Sequence, residues 1–173
     1  MDSRQQLIRQ TVRDVPDFPK PGILFKDITP VLAHREAFKA TIELLVERYE
    51  GAGLTQVLAI ESRGFIFGAP LALELGIGLQ IARKPGKLPS AVDEVSYALE
   101  YGEATLQVHK GQLGSGRTLI IDDLLATGGT AAAAIELVAK QGAEVAECAF
   151  IIELEALGGR GKLSAPTHSL LKY

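Results

Sequence analysis

Residues 118–134 read TLIIDDLLATGGTAAAA. The run TLII is apolar at consecutive positions apart from its first residue, without the polar–apolar alternation of a strand that has one face in water. A strand of this kind is buried on both faces. It feeds through two acids and a glycine pair into GTAAAAIELVAKQ, a helical pattern that Gly142 stops. The same succession recurs upstream. QVLAI (56–60) leads to FIFGAPLALEL (65–75), a helix despite Pro70 and ended by Gly76, and then to GLQIA (78–82). EVAECAFIIEL follows Gly142 as a fourth apolar strand. Short apolar strands alternating with helices predict an α/β fold, a mostly parallel twisted sheet flanked by helices.

The remaining segments are less regular. The first dozen residues read as a short helix, and 35–50 as a longer one, with Phe38, Ile42, Leu45 and Val46 at helical spacing. Between them, DVPDFPKPGILFKD (14–27) is too rich in proline for a helix and too apolar for a free tail, so it is expected to fold over something. Residues 83–95 hold Gly, two prolines and three basic side chains without periodicity, the composition of a mobile loop. SYALEYGEATLQVHKG then alternates on either side of Gly102, a hairpin signal.

At 173 residues, with 47% hydrophobic and 23% charged side chains, the chain suits one folded domain. A net charge of −3 argues against nonspecific nucleic-acid binding. The polar N-terminus and the lack of an apolar run near 20 residues predict a cytoplasmic protein with no membrane partner. The single cysteine, Cys148, sits in an apolar run and is expected to be a buried, inert thiol. His34, His109 and His168 are scattered and match no metal-ligand spacing.

Parallel sheets bind ligands beyond the carboxyl ends of their strands. Two such ends are polar here, AIESRGF and IIDDLLATGGT. In the second, Gly128 and Gly129 let the backbone approach an anion where a helix starts with unpaired N–H groups, and Thr127 and Thr130 add hydroxyls. A plain N-capped helix would use the same residues. Asp122 and Asp123 add what that reading leaves unexplained. As neighbours on a strand they would face opposite ways. If the strand ends there, both reach the hydroxyls of a sugar whose phosphate occupies the loop, so a ribose 5-phosphate suits the stretch. A Walker A reading of GQLGSGRT (111–118) fails. Arg117 stands in place of lysine, and the segment precedes a strand instead of following one.

LIIDDLLATGGT resembles the phosphoribosyl pyrophosphate (PRPP) motif of the type I phosphoribosyltransferases. DFPKPGILFKDITPVL, ESRGFIFG, RKPGKLP, LEYG, and ECAFIIEL followed by GGRGKL together resemble the adenine-specific branch of that family, from about residue 14 to the C-terminus. The resemblance implies one domain over 1–173, with a small N-terminal hood at about 14–34 and a mobile active-site loop at about 83–101. It implies transfer of the phosphoribosyl group of PRPP to adenine, giving AMP and pyrophosphate, with Mg²⁺ held mainly through PRPP, by a homodimer. Asp122 and Asp123 would bind the ribose, and Ala126, Thr127, Gly128, Gly129 and Thr130 the 5′-phosphate. Glu61, Ser62 and Arg63, with a cis bond at Glu61–Ser62, would take the pyrophosphate, alternatively with Arg63 merely paired to Glu61. Arg83, Lys84, Lys87 and Tyr101 would close over it, unless Arg83 serves a neighbouring subunit. Glu100 would move the purine proton. Leu24, Phe25, Lys26 and Leu124 would hold adenine, with Leu24 and Phe25 alternatively plain core. A phosphoribosyltransferase for another base such as hypoxanthine, xanthine or orotate, or a non-catalytic PRPP or purine sensor, would share the PRPP motif. The segment before residue 14 is too short for the DNA-binding appendage of such a sensor.

Overall fold

The computed structural model describes residues 2–99 and 102–173, so Glu100 and Tyr101 lie outside the described residues. The chain divides into two compact units, Met1–Arg48 and Tyr49–Tyr173.

The first unit opens with helix α1, Ser3–Thr11, whose start is closed by a reciprocal cap between Asp2 and Gln5. Strands β1, Arg13–Pro16, and β2, Leu24–Asp27, pair antiparallel with Val15 opposite Phe25. The proline-rich stretch is thus the turn of a ribbon. Asp17 accepts the Gly22 N–H at 2.7 Å, and Phe18 packs edge-on against Phe25 at 5.2 Å between ring centroids. Periodicity does not reveal the short helix α2, Thr29–Ala33. Its start is set by local turn chemistry: Asp27, just before the cap residue Ile28, accepts the Thr29 N–H at 2.9 Å, and Pro30 sits in the first turn. Helix α3, Arg35–Tyr49, starts where His34 Nδ1 accepts the Ala37 N–H at 3.2 Å, a structural role for that histidine.

In the second unit, β3 (Gln56–Ile60) leads through α4 (Gly64–Leu75) to β4 (Gly78–Ala82). β5 (Val92–Ala98) and β6 (Glu103–His109) form a separate antiparallel hairpin. β7 (Arg117–Leu125) leads through α5 (Gly129–Lys140) to β8 (Glu144–Glu153). Two single-turn 3-10 helices, Glu155–Leu157 and Gly159–Lys162, precede β9 (Thr167–Lys172). The sheet is parallel throughout, in the order β4-β3-β7-β8-β9.

Residue parity separates the two faces of this sheet. Val57, Ala59 and Ile121 lie under Gly68 of α4. Leu58, Ile60, Ile120, Cys148 and Phe150 form the other core with Ala134, Leu137 and Val138 of α5 and Leu106 and Val108 of the hairpin. All five residues of β3 are buried, as an apolar run without alternation requires. Burial pushes the Cys148 thiol up to about 12, which keeps it protonated and inert. GQLGSGRT turns into β7, with Gly111 and Gly114 at φ of +72° and +55°.

Three boundaries differ from expectation. β7 does not stop at the acids but continues through Asp122 and Asp123 to Leu125, because Asp122 and Leu124 keep their register with Phe150 and Ile152 of β8. β5 starts at Val92, ahead of the visible alternation, because Val92 and Asp93 pair with His109 and Val108. The fifth strand, β9, is short and carries no distinctive pattern; it is ordered by pairing with β8.

A Cβ on Gly68 would lie 2.6 Å from the Ala59 Cβ and 3.1 Å from the Ile121 Cγ2. Gly68→Val is therefore expected to cost about 1–3 kcal/mol by overpacking, read as a lower midpoint in urea unfolding at unchanged slope.

Candidate active site

The strand order reverses between β3 and β7: β4 lies beyond β3 on one side, and β8 beyond β7 on the other. A crevice forms at such a switch point because the two outgoing connections diverge. Residues 61–63 leave the end of β3 and open α4; residues 126–128 leave β7 and open α5. The polar residues marked in the sequence therefore meet at one place.

Asp122 and Asp123 remain on the strand and serve different neighbours. Asp123 is buried, and Arg63 Nε donates to its Oδ2, joining the two connections by an ion pair. Arg63 thus pairs with Asp123 and not with Glu61. Asp122 lines the pocket formed by the β7–α5 loop, and its Oδ1 accepts the Asp123 N–H at 2.8 Å. Gly64 makes room for it: a Cβ there would lie 2.7 Å from the Ile121 carbonyl oxygen and 3.1 Å from Asp122 Oδ1. Burial, and then the charge of Asp123, hold the Asp122 carboxyl well above the usual aspartate range, against the opposing pull of the Asp123 N–H and Arg63.

The loop pocket is lined by Asp122, Leu124 and Ala126–Thr130, with a volume of about 90 Å³. That is far below the several hundred Å³ of a site enclosing a whole drug-sized ligand, and suits one anionic group. Gly128 takes φ of +81° at the head of the 12-residue helix α5, whose first N–H groups face the loop with the positive end of the helix dipole. Two supports were not apparent in the sequence. Tyr97 of β5 lies against Gly129, its Cδ2 3.3 Å from where a Cβ would stand, and its hydroxyl bonds Thr130 Oγ1 at 3.0 Å. Gly159 lies backbone to backbone against Ala126 and Gly128. Tyr97 is marked only by its parity with Val95 in the hairpin, and Gly159 only by the GGRGKL motif.

Around the β3 connection, the Glu61–Ser62 peptide bond is cis, the geometry that the resemblance implies. Glu61 accepts the Lys84 backbone N–H at 2.8 Å and the Arg83 guanidinium at 3.3 Å. Arg83 is further held by the Lys87 carbonyl at 3.2 Å and a two-way backbone bridge to Gln107, and its guanidinium lies 5.9 Å from the centroid of the Phe65 ring. Glu61 thus tethers the start of the basic loop, while Lys84 and Lys87 are exposed. The Lys84 N–H, then Arg83, keep the Glu61 carboxyl below its ordinary value. In the first unit, Leu24, Phe25 and Lys26 lie on β2. Leu24 is exposed, Phe25 packs edge-on against Phe18, and Lys26 Nζ donates to Asp14 at 2.6 Å. Among the described residues no three His, Cys, Asp or Glu side chains group to hold a metal, and no helix is long and apolar enough to cross a membrane.

The two shifted carboxyls predict opposite pH behaviour. The folded value of Asp122 is raised, so its ionisation burdens the fold increasingly as pH rises above the ordinary aspartate range. Asp122→Asn is expected to melt higher than the parent at pH 8, with the gap closing on acidification. The folded value of Glu61 is lowered, so its stabilisation is complete above the ordinary glutamate value and lost as pH falls through the folded one. Glu61→Gln is expected to melt lower at pH 7 and to converge with the parent near pH 3. Melting curves across that range, monitored by circular dichroism, check both.

Comparison with known proteins places this geometry. Residues 27–167 match the phosphoribosyl transferase domain family. The adenine phosphoribosyltransferase of Methylococcus capsulatus is 55% identical over 168 residues, covering 96% of this chain and 98% of that protein. The crystal structure of the adenine phosphoribosyltransferase of Thermoanaerobacter pseudethanolicus is 47% identical and superposes with a TM-score of 0.94 over 98% of this chain and 99% of that one. The enzyme of Saccharomyces cerevisiae, complexed with adenine and an imino-altritol bisphosphate, is 38% identical with a TM-score of 0.95, covering 99% of this chain and 100% of that one. With the family match spanning most of the chain and identity above 50% extending over nearly its whole length, this chain belongs to the phosphoribosyl transferase family, among the adenine phosphoribosyltransferases.

Proposed function

We propose that this protein transfers the 5-phosphoribosyl group of PRPP to N9 of adenine, forming AMP and releasing pyrophosphate. The observation that carries the reading is the continuity of Asp122, Asp123 and the loop Ala126–Thr130 at the carboxyl end of β7, with Arg63 reaching in from β3. The loop takes the 5′-phosphate on its backbone N–H groups and on the Thr127 and Thr130 hydroxyls. Asp122 and Asp123 accept from the ribose hydroxyls, and their charge favours the oxocarbenium character that develops at C1 as the C1–O bond to pyrophosphate breaks.

Arg63 is the principal cation for the pyrophosphate, with the Glu61–Ser62 backbone beside it and Lys84 and Lys87 closing from the basic loop. In the free protein the guanidinium rests on Asp123. An incoming pyrophosphate gives it a second anion and releases Asp123 toward the sugar. Arg83, tied to Glu61 and the Lys87 carbonyl, sets the base of that loop. Tyr101 covers the site, and Glu100 handles the proton that N9 loses as it attacks C1. Leu24, Phe25 and Lys26 of the hood and Leu124 of the loop hold the adenine ring. Mg²⁺ neutralises pyrophosphate charge when bound. It would be held mainly through PRPP's own oxygens and water, and no residue of the protein is assigned to it. The protein works as a homodimer in the cytoplasm.

Mixing the purified protein with PRPP, Mg²⁺ and adenine is expected to release pyrophosphate and AMP in equal amounts. Release with hypoxanthine but not adenine would overturn the choice of base. Asp123→Asn is expected to lower kcat by about 100-fold with little change in melting temperature, whereas parallel loss of both marks a structural residue. Glu100→Gln is expected to slow single-turnover chemistry by about 100-fold or more without weakening PRPP binding; an unchanged rate removes it from the mechanism.

A further inference from the structure

The motif GGRGKL (158–163) is used by none of the roles above, yet it lies against the phosphate loop. Gly158 takes φ of +63° and turns the chain into the 3-10 helix Gly159–Lys162. Gly159 is buried. A Cβ on it would overlap the Ala126 carbonyl oxygen and lie 2.9 Å from the Gly128 nitrogen, and a Cβ on Gly128 would overlap the Gly159 carbonyl oxygen. Two stretches of backbone thus meet with no side chain between them. The position of Gly159 limits where Ala126 and Gly128 can lie, and with them the N–H groups of the loop.

Arg160, the next residue, fixes Gly159 to the sheet. Its Nε donates to Glu153 Oε1 at 2.8 Å and its Nη2 to Oε2 at 2.5 Å, a two-pronged pair with a carboxylate only 3% exposed at the end of β8. Its Nη1 donates to the Thr167 carbonyl at 2.6 Å, at the start of β9. Ser169 of β9 donates to the same carboxylate at 2.7 Å. Arg160 then Ser169 hold the Glu153 carboxyl below its ordinary value. The guanidinium is therefore locked to two strands, and the lock is one residue from the backbone that supports the loop.

We propose that Arg160 is a positioning residue for the 5′-phosphate: through Gly159 it holds the Ala126–Gly128 backbone in the geometry that receives the anion, without touching substrate. This rests on the assignment of Ala126–Thr130 to the 5′-phosphate. Groups that orient a ligand's direct partners typically change affinity 10–100-fold when removed, as seen around metal sites. Arg160→Gln is expected to raise the KM for PRPP and the dissociation constant of AMP at least about tenfold, with the KM for adenine and kcat within about twofold. Arg160→Lys, which keeps the charge but loses the planar fork, is expected to recover only part of the loss.

The experiment compares initial-rate kinetics and AMP titration for these variants with Thr127→Ala. Arg160→Gln leaves a buried carboxylate unpaired and so threatens folding. The double change Arg160→Gln, Glu153→Gln removes that charge while still releasing Gly159, and it decides the matter if the single variant does not fold. Selective loss of PRPP and AMP affinity in a folded variant supports the proposal. If affinity for PRPP, AMP and adenine falls equally, or none changes while only the melting temperature drops, Arg160 is merely structural. If Thr127→Ala also leaves AMP binding untouched, the phosphate-loop assignment itself has failed. If Thr127→Ala weakens AMP and the Arg160 variants do not, only the positioning role is overturned.

Discussion

The candidate site depends on the parallel pairing of β3 with β7. Gln56 to Ala59 run beside Thr118 to Ile121 in register, so β3 ends at Ile60 level with the acidic stretch of β7, and the connection to α4 leaves beside Asp122 and Asp123. Without that register Arg63 and Asp123, sixty residues apart in sequence, would not meet. The apolar runs that seemed only to build a core therefore determine where the charges stand. Burial on both faces requires strands without polar residues, and the polar groups are confined to the strand ends and the turns after them.

Close backbone approach is the second constraint, and glycine provides it. Gly64 lets the end of β7 pass the start of α4, Gly68 seats α4 on the sheet, and the contact of Gly128 with Gly159 closes the loop from behind. At each place a Cβ would meet backbone or a neighbouring Cβ, which cannot move aside as the end of a long side chain can. Gly128 is doubly constrained, because it also has φ of +81°. The site is consequently shaped by main chain more than by side chains, the form that the proposed binding of a phosphate by N–H groups requires.

Burial of the Asp122 carboxyl beside Asp123 works against stability, and the Arg63 pair offsets only part of it. Such an arrangement persists where charge must be ready for a ligand. The Tyr97–Thr130 bond and the Arg160–Glu153 fork hold the surrounding frame rigid, so the cost is local.

Much of this was legible in the sequence, because the signals were local. Apolar runs, helical spacing and glycine stops determined the α/β class, four of the five sheet strands, and four of the helices with bounds within a residue or two. The juxtaposed acids and glycine loop pointed to a phosphorylated sugar. What the sequence did not decide was partnership at a distance. Asp122 and Asp123 stay on the strand because β8 continues to pair beside them, and pairing is a property of two segments. Val92 and the whole of β9 are strand for the same reason. Arg63 chooses Asp123 over the nearer Glu61, and Tyr97 and Gly159 support the loop, only because the fold brings them there. Local chemistry could name the groups that a phosphoribosyl site needs; the register of parallel strands decided which of them face one another.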